Sequence, residues 1–511
     1  MIDLTLAQIA DIVGGELADV SPHDAETIRI TGTVEFDSRA VTPGGLFLAL
    51  PGERSDGHDF AAAAVAAGAV AVLAARPVGV PAVVVNPAGG DVDAGAGVLE
   101  FDTDGSGAAV LAALAKLAAA VAAELVAGGL TIVGVTGSSG KTSTKDLLAA
   151  VLRPLGSVVA PPGSFNNELG HPWTVLRATT DTDYLVLEMS ARHRGNIAAL
   201  ARIAPPSIAV VLNVGTAHLG EFGSREAIAA TKGELPQAVP ASGVVILNAD
   251  DTAVAAMADD TAARVVRVSR SPGADVWADD VTLDEVARPR FTLHTATGAV
   301  PVELAVHGDH QVSNALCAAA VALECGASLE QVAAALAAAG PVSQRRMQVS
   351  TRSDGVTVIN DAYNANPDSM RAGLKALAWM ARSPVADGAD RRRSWAVLGE
   401  MAELGDDAIS EHDSIGRLAV RLDVSRLVVV GTGRSLNAMH QGAVMEGSWG
   451  SESTVVADAD AALELLRAEL REGDVVLVKA SKVAGLAALA DALVDDESGG
   501  QERSDRGIDS A

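Results

Sequence analysis

The stretch Ile132-Val133-Gly134-Val135-Thr136-Gly137-Ser138-Ser139-Gly140-Lys141-Thr142-Ser143-Thr144 decides the fold of this 511-residue chain. A strand-like apolar run feeds a glycine-rich loop that closes on Gly-Lys-Thr, where a helix is expected to begin. Glycines let successive backbone N–H groups converge on phosphate oxygens, Lys141 can neutralise the β- and γ-phosphates, and the Thr142 hydroxyl can sit on a magnesium ion. Residues Thr136, Gly137, Ser138, Ser139, Gly140, Lys141 and Thr142 are therefore predicted to cradle a nucleoside triphosphate. The loop is a variant. The common form has a glycine five residues before the Gly of Gly-Lys-Thr, and here that position is Val135, with glycines at Gly134 and Gly137.

Downstream, apolar strand and amphipathic helix alternate, with strands expected at 184–188, 208–213 and 244–248, the signature of a parallel sheet flanked by helices. The spacing shortens between 274 and 306, where 276–278, 290–294 and 300–304 read as an antiparallel meander, followed by a helix over 313–324. Pro341-Val342-Ser343 marks a boundary, after which strands at 356–360, 394–398, 427–430 and 474–478 imply a second parallel sheet without a phosphate loop. Upstream, Gly128-Gly129 stops an alanine-rich helix and residues 86–107 read as a linker. The expected architecture is α/β in three domains: a small N-terminal α/β domain over 1–106, a central P-loop parallel-sheet domain of ATPase-like form over 107–340, and a C-terminal Rossmann-like domain over 341–495. A charged, disordered tail is expected at 496–511.

An apolar fraction of 49% supports several cores, but only 3% is aromatic and much of the rest is alanine, so helices should pack closely on small side chains. The alanine-rich run carries Lys116 and Glu124 and suits a buried helix better than a membrane span. Met1-Ile2-Asp3-Leu4-Thr5 lacks the basic start and apolar core of a signal peptide, so a cytoplasmic location is the expectation. The net charge of −27 argues against a nucleic-acid partner, while a few local cations can still hold an anionic small molecule. Cys317 and Cys325 indicate neither a disulfide framework nor a zinc site.

Further candidates stand at strand ends. Glu188 closes the run Tyr184–Glu188 and is the acid expected to help hold magnesium. His218 follows the strand at 208–213; alone it reads as a loop histidine, and beside Gly140 and Glu188 as a metal ligand or its support. Lys232 by itself reads as a solvated helix lysine. Asn360-Asp361-Ala362-Tyr363-Asn364-Ala365-Asn366-Pro367 concentrates more hydrogen-bonding groups at a strand end than a turn needs.

Taken together these residues resemble the Mur ligases, ATP-dependent amide-forming enzymes of peptidoglycan precursor synthesis. The loop 134–142 looks like that family's form of the phosphate loop. Gly163-Ser164-Phe165-Asn166-Asn167-Glu168-Leu169-Gly170-His171-Pro172, Asp361–Pro367 and Leu398-Gly399-Glu400-Met401-Ala402-Glu403-Leu404-Gly405 resemble its MurF branch, and the likeness spans Phe36 to about Leu486. The resemblance implies an N-terminal domain that holds the UDP part of the substrate, with Ser38 and Arg39 in the family's Asp-Ser-Arg segment. It implies that Lys141 and Thr142 hold phosphates and magnesium, that Glu188 and His218 are the magnesium-site acid and histidine, and that Lys232 is the lysine many members carry as a carbamate. His310 and Asn314 match a motif whose asparagine contacts adenine, Arg346 and Asp361 the arginine and aspartate that reach the nucleotide on domain closure. Asn166, Asn167, Tyr363 and Asn364 would face the substrates. Arg346 is chosen over Arg345 by its position before Met347. Lys482 departs from the pattern, standing where the family often has an arginine, and an ammonium lacks the bidentate fork.

The implied reaction joins D-alanyl-D-alanine to UDP-N-acetylmuramoyl-tripeptide through an acyl phosphate, with ATP and Mg2+, in a cytoplasmic monomer. Other readings are a ligase adding the third amino acid, a folylpolyglutamate synthetase relative, or a nucleotide-dependent switch; Asp361–Pro367 speaks against the first two.

Overall fold

Strand Thr131–Thr136 lies between Ile208–Val211 and Tyr184–Glu188, parallel to both, in a nine-stranded sheet. Glu188 stands opposite Val135, and Val211 opposite Thr136. The C-terminal ends of these strands are therefore level, and the phosphate loop, Glu188 and residues 212–215 emerge along one edge, where parallel sheets gather their ligands. The computed structural model describes residues 2–87, 99–215, 219–382, 392–447 and 452–504.

Both faces of the central sheet are covered, as a parallel sheet requires. Val133, Val135, Val186, Val210 and Ile246 pack beneath Leu147, Leu148 and Leu152 of the helix Lys141–Leu152 and the alanines of Gln311–Glu324. On the other face Ile132, Leu185, Leu187 and Leu247 join one apolar cluster with the long helix Ser106–Ala127. The antiparallel meander is present as Val276–Leu283, Pro289–Thr295 and Gly298–Glu303, and it extends the same sheet because Val276 pairs in parallel with Val268. The C-terminal sheet runs Gln348–Thr351, Thr357–Asn360, Val475–Lys479, Ser394–Leu398, Arg426–Val430, Ser453–Val456, all parallel beyond the first pair. The N-terminal sheet has five strands, Glu16–Ala18 antiparallel to Ala82–Val84 and the rest parallel.

Two expectations change. Of the linker 86–107, residues 88–98 lie outside those described, and its far end is a built helix start: the buried Asp102 carboxylate accepts N–H bonds from Gly107 and Ala108 at 3.0 and 2.8 Å, satisfying donors that a helix N-terminus leaves without partners. The disordered tail was expected from 496, yet the last helix runs Ala487–Ser504. Leu489, Ala490 and Leu493 anchor its first turns in the C-terminal core, and extending a nucleated helix costs little. Residues 505–511 lie outside those described.

Helix Ser106–Ala127 is long and apolar enough to cross a membrane by composition, but half of its most apolar window is buried in the protein. It contributes Val110, Leu114, Leu117 and Val121 to a cluster that includes Leu6, Ile9 and Val13 of the N-terminal domain and Ile132 and Leu185 of the central one. The two domains thus share a core, and Leu117→Ala should cost about 2–5 kcal/mol. Urea unfolding will show it as a lowered midpoint, with exposed Glu124→Ala on the same helix within about 0.5 kcal/mol of the parent.

Candidate active site

Gly140 begins the loop helix with φ +84°, a left-handed conformation that a Cβ disfavours, and a Cβ there would also stand 2.8 Å from Asn314 Oδ1. This turn leaves the first amides of Lys141–Leu152 directed at the cleft with no side-chain cap, so the helix end is arranged to receive an anion. The loop is held from below. Thr136 Oγ1 donates to Met189 O at 2.9 Å, Ser138 N to Asn213 O at 3.1 Å and Ser139 N to Asn213 Oδ1 at 2.9 Å.

Thr142 is the centre of the site. Its buried hydroxyl donates to Glu188 Oε2 at 3.3 Å and accepts from Arg346 Nη2 of the C-terminal domain at 3.1 Å. Glu188 Oε2 also accepts from Ser164 Oγ at 3.0 Å and Asn166 Nδ2 at 3.3 Å. Its other oxygen, Oε1, is buried and has no hydrogen-bond partner among the described residues. The Arg346 guanidinium lies 4.0 Å above the Tyr363 ring.

Around this centre opens a cleft of about 1400 Å³ bounded by the central and C-terminal domains. Of the residues singled out from the sequence, Ser138, Ser139, Gly140, Lys141, Thr142, Asn166, Asn167, His310, Asn314, Arg346, Asp361, Tyr363 and Asn364 line it. Thr136, Gly137 and Glu188 are not lining residues, and Glu188 meets the lining through Thr142, Ser164 and Asn166. Lys232 is buried outside the lining, close enough to Lys141 for the two charges to repel. Ser38 and Arg39 lie apart on the N-terminal domain, with Arg39 Nη2 2.7 Å from Asp37 Oδ2. His218 is outside the described residues. Lys482 lines the cleft.

Burial pushes the Lys141 ammonium below its ordinary pKa, Glu188 opposing and Arg346 adding to the effect; its Nζ donates to Gly137 O at 2.7 Å. Burial, with Lys141 beside it, holds Lys232 well below the usual lysine range. Burial likewise lowers His310 and Lys479, nearby Asp361 opposing the shift in both. Seven lysines and arginines of the cleft lining are matched by seven aspartates and glutamates, and the cations at the phosphate loop itself are Lys141 and Arg346.

Sequence reasoning passed over three contributors. Ser164, inside a quoted motif, supports Glu188; Asn366 Nδ2 donates across the cleft to Ser138 O at 3.2 Å; and Lys479 Nζ donates to Asp361 Oδ2 at 2.6 Å. Asn366 stands in the polar strand end at 360–367, where its place before Pro367 reads as turn chemistry, and a single lysine closing a strand gives no sign of its partner. A close contact accompanies the cross-cleft bond. Gly220 N donates to Glu403 O at 3.3 Å, and a Cβ on Gly220 would lie 2.5 Å from Gly405 N.

The chain is similar to known proteins along most of its length. Three family models match: "Mur ligase family, catalytic domain" over 31–119, "Mur ligase middle domain" over 135–322 and "Mur ligase, glutamate ligase domain" over 345–482. The chain is 76% identical over 514 residues to the UDP-N-acetylmuramoyl-tripeptide--D-alanyl-D-alanine ligase of Mycobacterium tuberculosis, covering 98% of this chain and 100% of that protein. Its fold is similar to MurF from Acinetobacter baumannii, with TM-score 0.78 and 29% identity over 96% of this chain and 99% of that one. MurF ligase from Thermotoga maritima, solved in complex with ADP, gives 0.72 and 27% over 92% and 99%.

The Gly220–Gly405 approach tests whether turnover needs the cleft closed. Gly220→Val should leave ADP affinity by calorimetry within about threefold and lower kcat by about tenfold or more, since it obstructs closure without touching the loop. Unchanged kcat would show that the contact is dispensable.

Proposed function

Because this chain belongs to the Mur ligase family, we infer that it joins D-alanyl-D-alanine to UDP-N-acetylmuramoyl-tripeptide at the expense of ATP. The observation that carries this reading is the meeting of the phosphate loop, Glu188 and Arg346 at the Thr142 hydroxyl. Phosphate-binding groups of one domain and a cation of another converge there, as a carboxylate-phosphorylating enzyme requires.

In this reading the loop amides and Lys141 take the ATP phosphates, with Asn314 and His310 on the adenine side. The terminal carboxylate of the tripeptide attacks the γ-phosphorus; the bond to the β-phosphate oxygen breaks and ADP leaves an acyl phosphate. The amine of D-alanyl-D-alanine attacks the acyl carbon, the tetrahedral intermediate expels phosphate and a proton is released, leaving the amide. Lys141 and Arg346 offset charge during the first step, largely by position. Arg346 comes from the C-terminal domain, so closure both completes the site and excludes water from the acyl phosphate. Asn166, Asn167, Tyr363 and Asn364 face the peptide and the dipeptide, and Ser38 and Arg39 take the uridine diphosphate end. One chain supplies the whole cleft, and the reading is of a cytoplasmic monomer.

The donor set fits magnesium. The Glu188 carboxylate, with Oε2 at the Thr142 hydroxyl and a buried Oε1 that has no partner among the described residues, offers with that hydroxyl the oxygens a hard cation takes, phosphates and waters completing its shell. Thr142 and Glu188 would hold it, and the family resemblance adds His218 as a further ligand; bound there, it would supply electrostatic stabilisation of phosphate charge. Lys232 as a carbamate rests on the same resemblance and on its burial next to Lys141, because carbamylation would replace a repelling ammonium with an anion. On this reading, stripping dissolved CO2 should reduce kcat and bicarbonate should restore it in the parent but not in Lys232→Arg.

Purified protein given UDP-N-acetylmuramoyl-tripeptide, ATP and magnesium should release phosphate in step with amide product when D-alanyl-D-alanine is added. Running the assay with both diaminopimelate- and lysine-containing tripeptides identifies the third residue. Absence of dipeptide-dependent release with either would overturn the assignment.

A further inference from the structure

Arg346 sits between two residues in an uncommon backbone conformation. Arg345 has φ +59° and Met347 φ +47°, left-handed values that side chains with a Cβ rarely adopt and that persist only where the surroundings enforce them. What enforces them here is a buried group of contacts. Met347 N donates to Asp361 Oδ1 at 3.0 Å, and Tyr363 N donates to Arg345 O at 3.2 Å. The other carboxylate oxygen of Asp361 is taken by Lys479 Nζ at 2.6 Å, and the same ammonium donates to Asn364 O at 2.9 Å. Lys479 is 2% exposed and Asp361 8%.

Lys479 closes strand Val475–Lys479 and Asp361 follows the parallel neighbour Thr357–Asn360, so the pair links two adjacent strand ends in the floor of the C-terminal sheet. The three acceptors of the Lys479 ammonium, Asp361 Oδ2, Asn364 O and, at 3.4 Å, Asp361 O, all belong to the segment that also carries Tyr363. That segment presents the Tyr363 ring on which Arg346 rests. We propose that Lys479 is a positioning residue: through Asp361 and Asn364 it braces the strained Arg345–Met347 turn and the Tyr363 platform, and thereby aims Arg346 at the Thr142 hydroxyl. The inference rests on the function proposed above. It assigns Asp361 the same indirect duty, because both of its carboxylate oxygens are engaged within the C-terminal domain.

A brace acts through the group it aims, so its loss should matter little once that group is gone. Dipeptide-dependent phosphate release is measured for the parent, Lys479→Met, Arg346→Ala and the double variant. Each single change should lower kcat by about tenfold or more, with KM for the UDP-substrate within about threefold. The double variant should be no more than about threefold slower than Arg346→Ala. Losses that multiply in the double variant, or a Lys479→Met enzyme with parental kcat, would overturn the brace. Lys479→Met leaves the Asp361 carboxylate buried without its cation; if that variant does not fold, Lys479→Gln, which keeps two N–H donors there, enters the same cycle under the same criteria. A parent without dipeptide-dependent release would instead overturn the proposed function, so the two failures are told apart.

Discussion

One hydroxyl joins the working parts of this protein. Thr142 Oγ1 donates to Glu188 within the central domain and accepts from Arg346 of the C-terminal domain. A hydroxyl offers one donor and two acceptor positions, so it can serve both partners and still keep a lone pair for a ligand. The sheet register that levels Glu188 with the loop, the turn that aims Arg346 and the contacts that close the cleft all determine whether those two partners reach it.

The charge distribution follows the same logic. A strongly acidic chain gathers Lys141, Lys232, Arg346 and Lys479 in and around one cleft. Desolvation penalises the buried ammonium groups of Lys141, Lys232 and Lys479, and nearby anions offset the penalty. Glu188 and Asp361 supply part of that compensation, the second already committed to Lys479.

Legibility from sequence varied with how local each interaction is. The phosphate loop, the strand-end Glu188 and the polar cluster at 360–367 are contiguous patterns, and their chemistry shows in residue type and spacing. Burial beside Lys141 removes Lys232 from the solvated class to which a lone helix lysine belongs by default, and that burial depends on packing from elsewhere in the chain. Lys479 received no role from the sequence for the same reason: its partner is 118 residues away. The helix Ala487–Ser504 was not read from the sequence, because the docking of Leu489 and Leu493 that anchors its first turns is a tertiary event.

By itself the sequence determined the α/β class, the alternation that makes the sheets parallel, the phosphate loop and the family likeness, because each is written in short-range order and hydrophobic period. Only the tertiary structure decided that Arg346 reaches Thr142, that Glu188 keeps one oxygen without a partner among the described residues, and that Asp361 faces Lys479. It also decided that the N-terminal and central domains share a core through Ser106–Ala127. Those facts concern groups far apart along the chain whose approach depends on the summed packing of whole domains, a quantity that no local window of sequence contains.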